Sequence, residues 1–388
     1  MAPGYAPFEF YRMSRTKVAY TIIHGIAPVF YADLVSRVKR SPFYAILFDE
    51  SMNDDLQTNQ MDIQIRYYND ETLEAMTQYI DSKFLSRGNA AMIFRGLKDF
   101  LECLIEEKNM IALSMDGPTV NWNVLNLMND MRRIKELPTI ADIGLCTLHI
   151  VHGAFKTGFK KGASNRNVQG ILGVTYHILK DSPARRDQYE KCSNKNDDTD
   201  QPTYPLPFFT VRWVENKPVA ARALDCWSNF KAYMRWWETQ PPSKKPKNNS
   251  SFNTLVQHHT NAFIIFRIQF FHDVVEILDQ FLVVFQTDQP MMPFLIPSLD
   301  ELMRQLMGIF IRKEVITNAK HSHQLAKIDV SKKENQLPTD SIKLPTATSC
   351  KLRSLQASDN AKLNFKVSCK QIFVQILQKM IERHLIHH

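Results

Sequence analysis

The sequence predicts an α/β fold built on a mixed sheet, and three observations carry that prediction. Two apolar runs, Phe43 to Phe48 and Met110 to Met115, each end in an aspartate, Asp49 and Asp116. Between them Met61, Ile63, Ile65 and Tyr67 alternate with Asp62, Gln64, Arg66 and Tyr68, the period-two spacing of a strand with one buried face. Ile93, Phe94, Leu97, Phe100, Leu101, Leu104 and Ile105 then recur at threes and fours, the spacing of an amphipathic helix.

Taken in order, residues 1–40 read as a helical lead-in, with Val18, Ile22, Ile23, Ile26 and Val29 on an apolar side and Arg37, Lys39 and Arg40 at its end. The run closing at Asp49 is the first strand and the alternating run the second. The turn-like Asn69-Asp70-Glu71 precedes a weaker third strand near Met76 to Phe84. After the amphipathic helix comes the fourth strand, ending at Asp116. Gly117-Pro118 then permits a sharp exit and a helix start, because proline is tolerated in a first helical turn. Val120, Val124, Leu127, Met128 and Met131 form that helix's buried side, Ile143 to Cys146 a short fifth strand, and Leu148 to Lys161 a further helix. The predicted order is βββαβαβα.

A carboxylate leaving a sheet strand stands on a stiff backbone, so two on neighbouring strands can share a hard divalent cation such as magnesium. Two metals ~3.5–4 Å apart would stabilise both the attacking and the leaving oxygen of a phosphodiester. The plainer alternative for each aspartate is a turn former or helix cap.

The chain resembles the hAT transposase superfamily. The resemblance rests on Phe48-Asp49-Glu50-Ser51, the Gln60 to Tyr67 strand, Ser114-Met115-Asp116-Gly117-Pro118, Cys146-Thr147-Leu148-His149 and Val211-Arg212-Trp213-Val214-Glu215. Together these motifs span roughly residues 40 to 230. The resemblance implies a ribonuclease H-like domain over 41–240 and an all-helical insertion-like region over 252–388. It implies that Asp49 and Asp116 are the first two acids of a three-carboxylate magnesium site, and that Cys146 and His149 belong to a DNA-end contact motif. Arg212 and Trp213 are expected as further DNA contacts, with the guanidinium on phosphate and the indole as a stacking face; a core tryptophan is the alternative. The family's third acid and its tryptophan-rich dimerisation segment have no counterpart here: Glu301, Glu314 and Glu382 lack that context. The expectation is therefore a nuclear, transposase-derived protein, domesticated or truncated, catalytically incomplete and binding DNA or protein partners. The alternative is an active magnesium-dependent transposase that hydrolyses phosphodiesters and transfers strands.

Composition bounds these readings. A chain of 388 residues exceeds the usual size of one core, so two domains are expected. The net charge of +8 leans toward polyanionic partners. The six cysteines show no Cys-x-x-Cys spacing, as in a reducing compartment. Cys146, His149 and His152 offer three zinc ligands with only the remote Cys192 as a fourth. No secretory signal is read at the N-terminus. The most apolar long stretch, Ala262 to Phe285, carries Arg267, Asp273, Glu276 and Asp279, so a core helix is expected there and no membrane contact. Gln240 to Ser251 has linker composition and includes Lys244, Lys245 and Lys247, a candidate import patch. Ser298-Leu299-Asp300-Glu301 has the spelling of a helix-opening capping box. A last helix is expected over Asn364 to Leu385. Lys156, Lys160, Lys161, Arg166, Arg185 and Arg186 complete the candidate phosphate contacts.

Overall fold

The structure is a computed structural model that describes residues 12–104, 107–115, 119–141, 146–162, 168–193, 204–245, 249–287 and 289–385. These form two compact units, Met1–Cys146 with Asp288–Pro290, and Thr147–Thr287 with Met291–His388. The seam read from composition at Gln240 to Ser251 falls inside the second unit.

The first unit opens with helix α1 (Arg15–Arg40), interrupted by a π turn at Ile22–Ile26 and begun by the Ser14 hydroxyl accepting from the Lys17 amide. Strands β1 (Tyr44–Asn53), β2 (Thr58–Asn69) and β3 (Glu74–Leu85) follow as a meander. Helix α2 (Ala90–Leu104), strand β4 (Met110–Ser114) and helix α3 (Thr119–Ile134) complete the unit. The sheet order is β3-β2-β1-β4, antiparallel between the first three strands and parallel between β1 and β4. Beyond β4, Ala141 makes a parallel bridge to Ala112, and the Cys146 amide donates to the Met115 carbonyl at 3.4 Å. The expected fifth strand begins just past that bridge; its residues 143–145 lie outside the described residues.

Alternation decides which face is buried. Tyr44, Ile46 and Phe48 of β1 and Met61, Ile63, Ile65 and Tyr67 of β2 are buried with Ile93, Leu97, Phe100 and Leu101 of α2 and Val124, Leu125 and Met128 of α3. Side chains of opposite parity, among them Asp49, Asp62, Gln64 and Arg66, are half-buried or exposed. Arg132 near the end of α3 is 1% exposed and donates to the carbonyls of Pro138 and Glu107, both at 2.6 Å, which ties the segment after α3 to the turn that leads into β4. Arg40 at the end of α1 bonds Asp70 and Glu71 in the β2–β3 turn, where Leu73 takes a left-handed φ of 58°.

The apolar side expected for the lead-in is not buried. Val18, Ile22, Ile23, Ile26 and Val29 are all exposed, while Leu34 and Val38 join the core and Tyr31 and Val35 pack against it. Among the described residues α1 is the one helix long and apolar enough to cross a membrane. The stretch Ala262 to Phe285, expected as a core helix, is helical and largely buried over Ile264–Phe285.

The second unit is helical: α4 (Thr147–Lys161), α5 (Val168–Leu179), α6 (Pro183–Cys192), α7 (Lys217–Thr239), α8 (Ser250–His258), α9 (Ile264–Phe285), α10 (Met292–Met307), α11 (Lys313–Asn318), α12 (Ser322–Leu325), α13 (Thr346–Ser354) and α14 (Asp359–Leu385). With 12 of its 22 residues buried, α9 is the core helix. One of them, Asp273, accepts the Thr348 amide at 2.9 Å and its hydroxyl at 2.7 Å, and so caps α13, whose own N-cap is a proline. Helix α10 starts at Met292, because Pro293 suits its first turn. Ser298 therefore sits inside the helix rather than capping it, and Asp300 pairs with Arg304 at 2.7 Å.

Candidate functional site

Asp49 stands on β1 on the polar face of the sheet and is exposed. Directly across on β2 is Asp62, and across from Asp62 on β3 is Ser82. The Asp62 Oδ1 accepts from Ser82 Oγ at 2.5 Å and from Gln60 Nε2 at 2.7 Å, which holds one oxygen in place. Side chains facing each other across antiparallel strands lie about 5 Å apart at Cβ, and like charges there repel unless a cation or proton intervenes. Two carboxylates on rigid strands are hard oxygen donors of the type that bind magnesium or calcium. The sequence reading passed over Asp62, because it looked for acids at strand ends and Asp62 sits within the alternating run.

Asp116 lies outside the described residues. The last described parallel pair joins Leu47 to Ser114, and Asp49 is two residues beyond Leu47 as position 116 is beyond Ser114. Among the described residues no group of three or more His, Cys, Asp or Glu side chains is arranged to hold a metal ion.

The second candidate set divides. Cys146 closes the first unit, and His149 is exposed on the first turn of α4 in the second. Half-buried on the next turn, His152 accepts the Val214 amide on Nδ1 at 3.4 Å. Burial, with smaller contributions from His149 and Arg212, holds its pKa below the ordinary imidazole value against the opposing pull of Glu215 and Asp279.

Trp213 is 1% exposed, which corrects the expectation of a base-stacking face. It packs against Phe155, Phe208 and Phe271, and its Nε1 donates to the Thr210 carbonyl at 3.0 Å. The ring is spent on the core. Arg212 remains at the surface and pairs with Glu215 at 3.3 Å. The residue that organises this segment is Asn216, wholly buried. Its Oδ1 accepts the Phe209 amide at 2.7 Å, and its Nδ2 faces the carbonyls of Phe209, Arg212 and Trp213. An asparagine three residues past a tryptophan carries no periodic signal, so sequence reasoning missed it.

Several expected phosphate contacts have internal duties. Arg185 and Arg186 donate to the carbonyls of Ile178 and Leu179, satisfying the C-terminal end of α5. Lys160 lies over the Trp213 ring at 5.8 Å, and Lys156 donates to the Thr210 carbonyl at 3.3 Å. Arg166 lies outside the described residues. The sequence matches no model of a known protein family and no curated protein.

Proposed function

We propose that this chain derives from a DNA transposase of the hAT superfamily, with its first unit a ribonuclease H-like domain, and that it works in the nucleus by binding DNA or a protein partner rather than by catalysis. One observation carries the reading: β4 runs parallel to β1 and hydrogen-bonded to it, after a three-stranded antiparallel meander, with Leu47 opposite Ser114. On this reading Asp116, two positions past Ser114 as Asp49 is two past Leu47, would stand beside Asp49 on the neighbouring strand. The parallel bridge from Ala112 to Ala141 supports a fifth strand on the same edge. The sequence itself favours binding over chemistry: Glu301, Glu314 and Glu382 lack the context of the family's third acid, and the acids of such a site act jointly.

Asp62 favours the second reading, an active magnesium-dependent transposase, since it adds a carboxylate beside Asp49. Incubating supercoiled plasmid with the protein in magnesium or manganese separates the two. Binding without nicking is the expected result. Metal-dependent nicking that Asp49→Asn abolishes would establish the enzyme instead.

A further inference from the structure

The second unit contains a groove of about 1010 Å³ bounded by the Asp340–Leu344 segment, α13 and the start of α14. Its base is apolar: Ile342, Leu344 and Leu352 are buried beneath it, and Leu363 on α14 is 40% exposed. Its rim is basic, with Lys343, Arg353, Lys362 and Lys366, against two lining carboxylates, Asp340 and Asp359. Four cations less two carboxylates leave a net charge of +2 in the lining.

These cations are not neutralised from within. Among the described residues Lys343, Arg353 and Lys362 make no ion pair, and Lys366 donates to the neutral Asp340 carbonyl at 2.6 Å. Lys362, Lys366 and Lys370 recur every fourth residue, so all three share one face of α14. Like charges at that spacing repel, and no acidic residue lies between Lys362 and Lys370, Asp359 standing one turn before the first of them. Lys370 is partly buried and also feels the charge of Lys333, both of which hold its pKa below the ordinary lysine value.

We propose that this groove docks an acidic amphipathic helix of a protein partner, with its leucine-like side chains seated over Leu363 and its carboxylates meeting Lys343, Arg353, Lys362 and Lys366. The choice of occupant follows from the lining. Single-stranded nucleic acid is held in grooves that join cations to aromatic stacking platforms, and no aromatic residue lines this one. An acidic amphipathic helix matches both the apolar base and the basic rim. The proposal is independent of the metal chemistry at Asp49.

The test is fluorescence anisotropy on the full chain. The probe is a labelled synthetic helix of about 15 residues with leucines at i, i+3, i+4 and i+7 and glutamates elsewhere. Labelled oligothymidylate and a version of the helix with lysine for glutamate serve as comparisons. The acidic helix is expected to bind, to weaken with added salt, and to lose about tenfold or more in affinity with Lys362→Glu plus Lys366→Glu. Lys362→Gln plus Lys366→Gln, with an unchanged melting curve to show that the chain is folded, should give a smaller loss. The proposal is overturned if the acidic helix fails to bind, if the charge-reversed chain binds it equally well, or if oligothymidylate binds more tightly.

Discussion

Asn216 is wholly buried, and its amide meets the backbone of Phe209, Arg212 and Trp213. Removing it takes a partner from the Phe209 amide and from the carbonyls of Phe209 and the buried Trp213, while the Arg212 carbonyl keeps the Glu215 amide. Asn216→Ala should cost about 2–4 kcal/mol, read as a lower denaturation midpoint with unchanged slope. His152 makes a pH prediction. Its folded-state pKa lies below its unfolded value of about 6.5, because burial disfavours the charged ring. As pH falls below about 6.5 the unfolded chain takes up a proton that the folded chain refuses, so stability is full above that value and declines until the folded pKa is passed. The melting temperature should therefore drop between about pH 7.5 and pH 5.5, and drop less in His152→Asn, whose amide oxygen can still accept from Val214. An equal drop in both chains would place the pH dependence elsewhere. At this scale the sequence was only half legible. An Arg-Trp pair reads alike whether the indole stacks on a base or fills a core, and Phe155 and Phe271, which pack on it, come from distant segments.

Helices α4 and α14 approach closely because Gly158 on α4 and Gly162 just past its end stand one turn apart. A Cβ at Gly158 would collide with the Ile376 side chain and stand 3.0 Å from the Ile372 carbonyl oxygen, which is backbone and cannot swing away. Gly158→Ala should therefore destabilise by about 1–3 kcal/mol although alanine is the better helix former. Gly153→Ala, with nothing near its Cβ position, should be neutral or slightly stabilising by the same denaturation assay. Strands β1 to β3 were legible because period-two alternation survives wherever one sheet face is buried. The start of α10 was not, since a capping-box spelling within a helix is indistinguishable by letters from one at its beginning. Nor was the exposure of α1: an apolar stripe states that a helix wants cover, and says nothing of where that cover comes from.

At the scale of the whole molecule the chain forms two units divided at Cys146–Thr147, one built on a mixed sheet and one helical. Composition pointed to a later seam because polar, proline-bearing segments such as Gln240 to Ser251 also occur as loops between helices of one core. If the proposed function holds, the sheet of the first unit brings Asp49 and Asp116 together at one edge. Electron paramagnetic resonance of manganese added to the full chain tests this most directly, since bound and free ions give distinct signals whether or not any chemistry follows. The account predicts bound manganese in the wild type, lost to the same extent in Asp49→Asn and in Asp116→Asn, with Glu301→Gln unchanged. Binding that survives both aspartate substitutions, or is absent from the wild type, would contradict it.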